Sequence, residues 1–265
     1  MKYIFQGYQL TYDEKIEKDI NNPLFFLKIE YFIQFFFFFF FRCLYAILYD
    51  YLYIQLHRKN LIIDKKLIHN DVQGESVLFI WDSTICFPVQ SDSFPYQFFE
   101  NKYAKYVRII AKFGLKTHMV KDYIQPMLDV NRERYHTIFV SSMLNDIMHT
   151  NVGVEQFEDG VNKLLEYLKT RLVAGGRIIF IYGDFSLHLI VPNNYFKQYF
   201  HYKTYRFLST IEKYVWDDLI ICKLMDFKAT ENAWYIRNCF YHDGLHFSKA
   251  GQKRLYQDLI RNANF

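Results

Sequence analysis

The sequence predicts an α/β fold: a three-layer α/β/α sandwich around a mostly parallel five-stranded sheet, preceded by a hydrophobic N-terminal extension. Three observations carry this expectation. From residue 76 onward, short apolar runs of strand length alternate with segments of helical periodicity, the pattern of a parallel sheet covered on both faces. Hydrophobic residues make up 51% of the 265-residue chain and charged residues 23%, so a core can be buried and the chain as a whole is not disordered. The polar clusters follow the apolar runs, where open α/β sheets gather their functional loops.

The chain divides into a Phe/Tyr-rich extension and linker, residues 1–70, and an α/β domain, residues 71–265. Met1 to Asn22 is polar. It is followed by the apolar stretch from Leu24, the unbroken Phe35 to Phe41 run, and a Leu/Ile/Tyr-rich segment to Leu56. Three readings of this region stand side by side. Residues 33–54 have the length of a membrane-spanning helix, but Gln34, Arg42 and Asp50 fall inside them, and an arginine near mid-bilayer costs about 3 kcal/mol on insertion scales. The same residues could form an amphipathic helix packed on the domain. A homopolymeric run also carries little positional information, so a low-complexity segment with no selected structure is the third reading. The polar start and late apolar run are not those of a cleavable signal peptide, and the sequence leaves the compartment open. His57 to Glu75 is charged and reads as a linker.

Ser76 to Ile80 is the first strand of the regular pattern, ending at Trp81-Asp82-Ser83-Thr84. Phe94 to Tyr103 reads as a helix, Tyr106 to Ala111 as a second strand leading to Phe113-Gly114-Leu115, and Val120 to Val130 as a helix. Thr137 to Ser141 is the third strand, ending at Met143-Leu144-Asn145-Asp146. Val154 to Val173 has strong 3.6-residue periodicity, which Ala174-Gly175-Gly176 should stop. Arg177 to Tyr182 is the fourth strand, Tyr195 to Tyr214 a helix, Leu219 to Cys222 the fifth strand, and Gln252 to Arg261 the last helix.

Charge and cysteine usage narrow the chemistry. A net charge of +4, scattered rather than striped, gives nucleic-acid binding little support. Cys43, Cys86, Cys222 and Cys239 lack CxxC spacing, so neither a zinc site nor a disulfide framework is expected; the last three sit in or beside apolar runs and read as buried thiols.

The most informative stretch is Tyr241-His242-Asp243-Gly244-Leu245-His246, followed by Phe247-Ser248-Lys249-Ala250-Gly251. It sets a carboxylate three residues before an imidazole at a helix entrance. An aspartate that orients a histidine supplies the base of a nucleophile–His–Asp triad. The plainer reading is a helix-capping Asp243 and a surface His246. Together with the upstream strand-end loops, the stretch resembles the SGNH hydrolases, also called the GDSL esterase/lipase superfamily. The nucleophile block appears as Leu78-Phe79-Ile80-Trp81-Asp82-Ser83, the second block's glycine as Gly114, the third block as Met143-Leu144-Asn145-Asp146, and the fifth as Asp243-Gly244-Leu245-His246. The resemblance covers about residues 76–262 and none of the extension.

The resemblance implies an SGNH, flavodoxin-like fold and a serine esterase that works through an acyl-enzyme intermediate without metal or organic cofactor. Ser83 would be the nucleophile, His246 the general base and Asp243 its orienting acid. The Ser83 and Gly114 backbone N–H groups and the Asn145 side-chain amide would form the oxyanion hole. A small-molecule, lipid or glycan ester would be the substrate. Aromatic residues in the loops (Phe87, Phe94, Tyr96, Phe98, Phe99, Trp234, Tyr235) hint at an apolar or sugar-bearing one, or belong to the core. Asp82 and Asp146 read as supports of the nucleophile turn and the Asn145 loop; His149, His188 and His242 read as solvated or pocket-edge histidines. Gly183-Asp184-Phe185-Ser186 mimics the nucleophile block but follows the wrong strand. Trp81 and Met143 stand where the family has glycine. If their side chains fill the space beside Ser83, the alternative is a catalytically silent binding or scaffold domain, anchored to a membrane through residues 33–54. The retention of all five chemical residues favours an enzyme.

Overall fold

The computed structural model describes residues 2–5, 8–11, 33, 62–71, 73–86, 93–141, 143–148, 152–183, 194–214, 219–224, 238–240 and 246–262. The apolar residues of the parallel strands come in runs because both faces are covered, and their alternation assigns each side chain to one layer. In the strand β4 (Ser76–Trp81), Leu78 and Ile80 point to one face and Phe79 and Trp81 to the other, all with no exposed surface. The same division holds along β5 (Tyr106–Lys112) and β6 (Tyr135–Ser141). One core layer is closed by Val120, Ile124 and Leu128 of α3 (Thr117–Asp129), by α5 (Val154–Lys169) and by α6 (Asn194–Glu212). The other is closed by Phe94 and Phe98 of α2 (Phe94–Glu100) and by Leu255 and Leu259 of α7 (Lys249–Asn262). This is the three-layer sandwich expected from the sequence.

The sheet has six strands in the order β3-β5-β4-β6-β7-β8, with β7 at Leu172–Gly183 and β8 at Leu219–Leu224. Five are mutually parallel, as predicted. The sixth, β3 (Ile62–Ile68), corrects the linker reading of His57 to Glu75: it pairs antiparallel with β5 at the sheet edge. Its charges concealed it. Asp64, Lys65 and Lys66 face solvent, which an edge strand tolerates and a central one would not. Asp64 accepts two hydrogen bonds from the buried Arg108 of β5, each 2.9 Å long, and Arg108 also donates to Glu133 at 2.7 Å. Lys2–Phe5 (β1) and Tyr8–Thr11 (β2) form a separate antiparallel hairpin within the stretch read as merely polar.

Ala174-Gly175-Gly176 does not stop a helix. α5 already ends at Lys169, with Thr170 as its cap, and the glycines lie within β7. Gly175 takes the left-handed φ of +72°, and the β6–β7 register shifts between Tyr135 and Thr137. A glycine there makes an irregularity of the kind a bulge requires. Among the described residues no helix is long and apolar enough to cross a membrane, and the 33–54 segment lies almost entirely outside them.

The strand order places the site. The chain passes from β4 to its neighbour β5 through α2 on one face, then crosses β4 through α3 on the other face to reach β6. Connections leaving in opposite directions open a crevice at the C-terminal end of the middle strand. Asp82-Ser83, Phe113-Gly114 and Asn145-Asp146 leave β4, β5 and β6 at that crevice.

Candidate active site

Ser83 opens the four-residue helix α1 (Ser83–Cys86), two residues beyond the last paired residue of β4. Its turn is fixed by the neighbour on either side. The Asp82 carboxylate accepts the Thr84 backbone N–H at 2.9 Å and the Thr84 hydroxyl at 2.7 Å, and the Trp81 indole N–H donates to that hydroxyl at 2.7 Å. Trp81, where the resemblance calls for glycine, has a side chain that turns into the core: its ring has no exposed surface and lies edge-on to Phe94 in the layer under α2 and α7. Met143 enters the opposite layer, among Leu78, Ile80 and Val140.

His246 reaches the same place from the far end of the chain. Two contacts hold its segment: an antiparallel bridge between Phe240 and Phe247, and the Ser248 N–H donating to the Cys239 carbonyl at 3.0 Å. Ser248 then caps α7, its hydroxyl accepting the Gly251 N–H at 3.2 Å. Gln252, in the first turn, ties this helix to the Ser83 segment: its amide N–H donates to the Thr84 carbonyl at 2.7 Å, and its amide oxygen accepts the Phe94 N–H at 3.2 Å. As a result His246 Nε2 stands 3.1 Å from Ser83 Oγ, across 163 residues of sequence. Both residues are nearly covered, Ser83 at 4% exposure and His246 at 6%. Asp243, the expected orienting acid, lies outside the described residues, as do His149, His188, His242, Asp184 to Ser186, Phe87, Trp234 and Tyr235.

The two remaining predicted donors belong to segments after β5 and β6 that are laced together. Gly114 takes φ +68°, a conformation open to glycine at no steric cost, and nothing lies within 4 Å of where a Cβ would stand. On α4 (Met143–Met148), Asn145 Nδ2 donates to the Leu115 carbonyl at 3.1 Å and to the Asp82 carboxylate at 3.3 Å. Next to it, Asp146 is fully buried and accepts both the backbone N–H and the hydroxyl of Thr117, at 2.8 and 2.7 Å; its other oxygen faces His118 Nδ1 at 3.9 Å. Asn145 and Asp146 thus lock α4 to the loop that carries Gly114. Of the loop aromatics, Phe94 and Phe98 are core residues, and Tyr96 and Phe99 pack against that core.

Burial raises the Asp82 carboxyl to about 6, against the Thr84 hydrogen bonds and the nearby charge of His246, which favour its ionised form. The sequence reading took Asp82 as a support of the nucleophile turn, and its hydrogen bonds are of that kind; they extend as well to Asn145. Three residues that organise the site were not singled out from sequence: Thr84, Thr117 and Gln252. Each is an ordinary polar residue in an amphipathic or loop context.

No family model matches the chain, and no curated protein does either. Solved structures do. One is a member of the lipolytic protein G-D-S-L family from Veillonella parvula, at 11% identity and TM-score 0.53 over 70% of this chain and 96% of that one. Another is the psychrotrophic esterase EstA from Pseudoalteromonas sp., crystallised inhibited by monoethylphosphonate, at 12% identity and TM-score 0.50 over 71% of this chain and 96% of that one. TesA matches at 12% identity and TM-score 0.50, over 70% and 96% of the two chains. With TM-scores of 0.50 to 0.53 over 96% of each of these neighbours, the chain is built on the SGNH, or GDSL, hydrolase fold.

Proposed function

We propose that the protein is a serine ester hydrolase that works through an acyl-enzyme intermediate. The observation that carries the reading is the 3.1 Å approach of Ser83 Oγ to His246 Nε2 at the crevice above β4. In the first step Ser83 Oγ bonds to the ester carbonyl carbon, its proton passes to His246 Nε2, and the carbonyl electron pair moves onto oxygen. Collapse of that adduct breaks the bond to the alcohol, which leaves with the proton from His246. Water then repeats the sequence on the acyl-Ser83 ester and releases the acid. Asp243 is assigned the role of holding the imidazole and stabilising its charged form.

The developing oxyanion is assigned to the backbone N–H groups of Ser83 and Gly114 and to Asn145 Nδ2. The clear space beside Gly114 suits a close approach of substrate. Asn145 spends both amide hydrogens within the protein, and the bond to Asp82 is the longer of the two, so that hydrogen is the one given to the oxyanion. The substrate belongs to the small-molecule, lipid or glycan esters. The core positions of Trp81 and Met143 support the catalytic reading over a silent scaffold, because neither side chain takes up the substrate side of Ser83.

A fluorophosphonate probe tests the assignment. The wild-type chain should label, and Ser83→Ala and His246→Ala should not. Equal labelling of all three refutes the nucleophile; no labelling of wild type leaves the silent scaffold as the better account.

A further inference from the structure

We infer that Phe113 is the specificity-determining residue of this site and that it receives an apolar hydrocarbon chain of the ester. The inference rests on the hydrolase reading above and deepens it. Phe113 is the first residue after β5, and its side chain is 49% exposed although most phenylalanines described belong to the two core layers. The ring is not idle at the surface. It faces the His246 imidazole, with centroids 6.1 Å apart and planes inclined by 22°, an offset arrangement within the usual aromatic range. The next residue is Gly114, left-handed and bordered by clear space.

One two-residue turn therefore presents an uncovered aromatic face, clear space beside Gly114 and a contact to the candidate base. A large apolar side chain left half in water forgoes the stabilisation of burial. Here the face it leaves open is on the rim of the crevice that holds Ser83. Phenylalanine has no hydrogen-bonding group, so what it can recognise by burial is hydrocarbon. A chain attached to the ester, on its acyl or its alcohol side, would lie along this ring while the carbonyl sits over Ser83 and Gly114.

Two series of esters separate the two sides. p-Nitrophenyl esters from acetate to hexanoate lengthen the acyl chain, and acetates of ethanol to hexanol lengthen the alcohol. A fully buried methylene is worth up to about fourfold in affinity, and a ring that covers one side of a chain supplies part of that. Phe113→Ala should therefore cut the long-to-short ratio of kcat/KM about tenfold in one series, mainly through KM. Phe113→Leu should retain an intermediate ratio, and covers the case in which the alanine variant folds poorly. A ratio equal to wild type in both series overturns the proposal. So does an equal loss on every ester, since Phe113 would then serve only to hold His246. A wild-type chain that neither labels with fluorophosphonate nor turns over any ester removes the hydrolase reading and this one together. Labelling with an unchanged chain preference removes this one alone.

Discussion

Lys203 is a charged residue buried among aromatic rings. It lies on α6 within the stripe formed by Tyr199, Phe200, Phe207 and Ile211, and none of its surface is exposed. Its ammonium lies 5.3 Å above the Phe207 ring and donates at 3.5 Å to the Ile147 carbonyl on α4. Desolvation pulls its pKa from 10.5 to about 7, although the Asp146 carboxylate favours the charged form; Lys116 pushes the same way as burial. The folded state thus holds its proton less firmly than the unfolded chain. The penalty is fully present below pH 7 and shrinks as pH rises from 7 toward 10.5, the interval in which the unfolded chain carries the extra proton. A displacement of this size corresponds to about 5 kcal/mol, and loss of the hydrogen bonding of the ammonium, the Ile147 bond included, returns about 1. Lys203→Met should therefore stabilise the protein by about 4 kcal/mol at pH 6 and by about 1 at pH 9. Urea unfolding at the two pH values measures the difference. A methionine variant less stable than wild type at pH 6, or a gain that does not shrink by pH 9, would show that the lysine is needed as the counter-charge of Asp146 and would refute the reasoning.

Three further outcomes are expected. Asn145→Ala should lower kcat for ester hydrolysis about 10²–10³-fold with a smaller change in KM, because its amide is assigned to the oxyanion; an unchanged kcat counts against that role. Glu133 should make the fold acid-sensitive: burial favours its neutral form, but hydrogen bonds from Lys66, Tyr135 and Arg108 outweigh this and hold its pKa at about 2 instead of 4.5. Its stabilisation is present above pH 4.5 and lost as pH falls toward 2, so Glu133→Gln should remove about 3 kcal/mol of pH dependence from that window, read by unfolding at a series of pH values. Gly251→Ala would set a Cβ 2.0 Å from the Cys239 carbonyl oxygen, in the segment that aligns His246; it should cost about 2 kcal/mol or more and reduce fluorophosphonate labelling together with stability.

The parallel strands were legible because burial on both faces removes polar residues from them, leaving runs such as Val77 to Trp81 that a periodicity argument can find. The edge strand was not, for the opposite reason. Ile62–Ile68 needs only Ile63 and Leu67 against the core, and its charges are what keep an edge from pairing with other chains, so the same residues that suit a linker suit this strand. The Gly175-Gly176 pair was misread because glycine ends helices and bends strands alike. Helix α5 in fact closes at Lys169, and only the paired register shows that the glycines serve the sheet.

The site divides along a similar line. Ser83, Gly114, Asn145 and His246 could be picked out because the strand-end motifs that hold them resemble the blocks of a known family, which their spacing alone would not have shown, and the structure brings Ser83 and His246 to 3.1 Å. What holds them there left no comparable trace. The Gln252 bridge depends on α7 meeting Thr84 from 168 positions away, and the Asp146–Thr117 brace spans 29. Such pairs follow from the strand order 5-4-6 rather than from any local pattern. Trp81 makes the same point from the other side. In the sequence it looks like an obstruction beside the nucleophile. In the fold, the alternation of β4 turns it away beneath α2, where its indole N–H, a donor that would be costly to bury unpaired, instead ties down the Thr84 hydroxyl of the Ser83 turn. A departure from the family's glycine is thereby compatible with the turn, since the strand sets its direction and Thr84 supplies its partner.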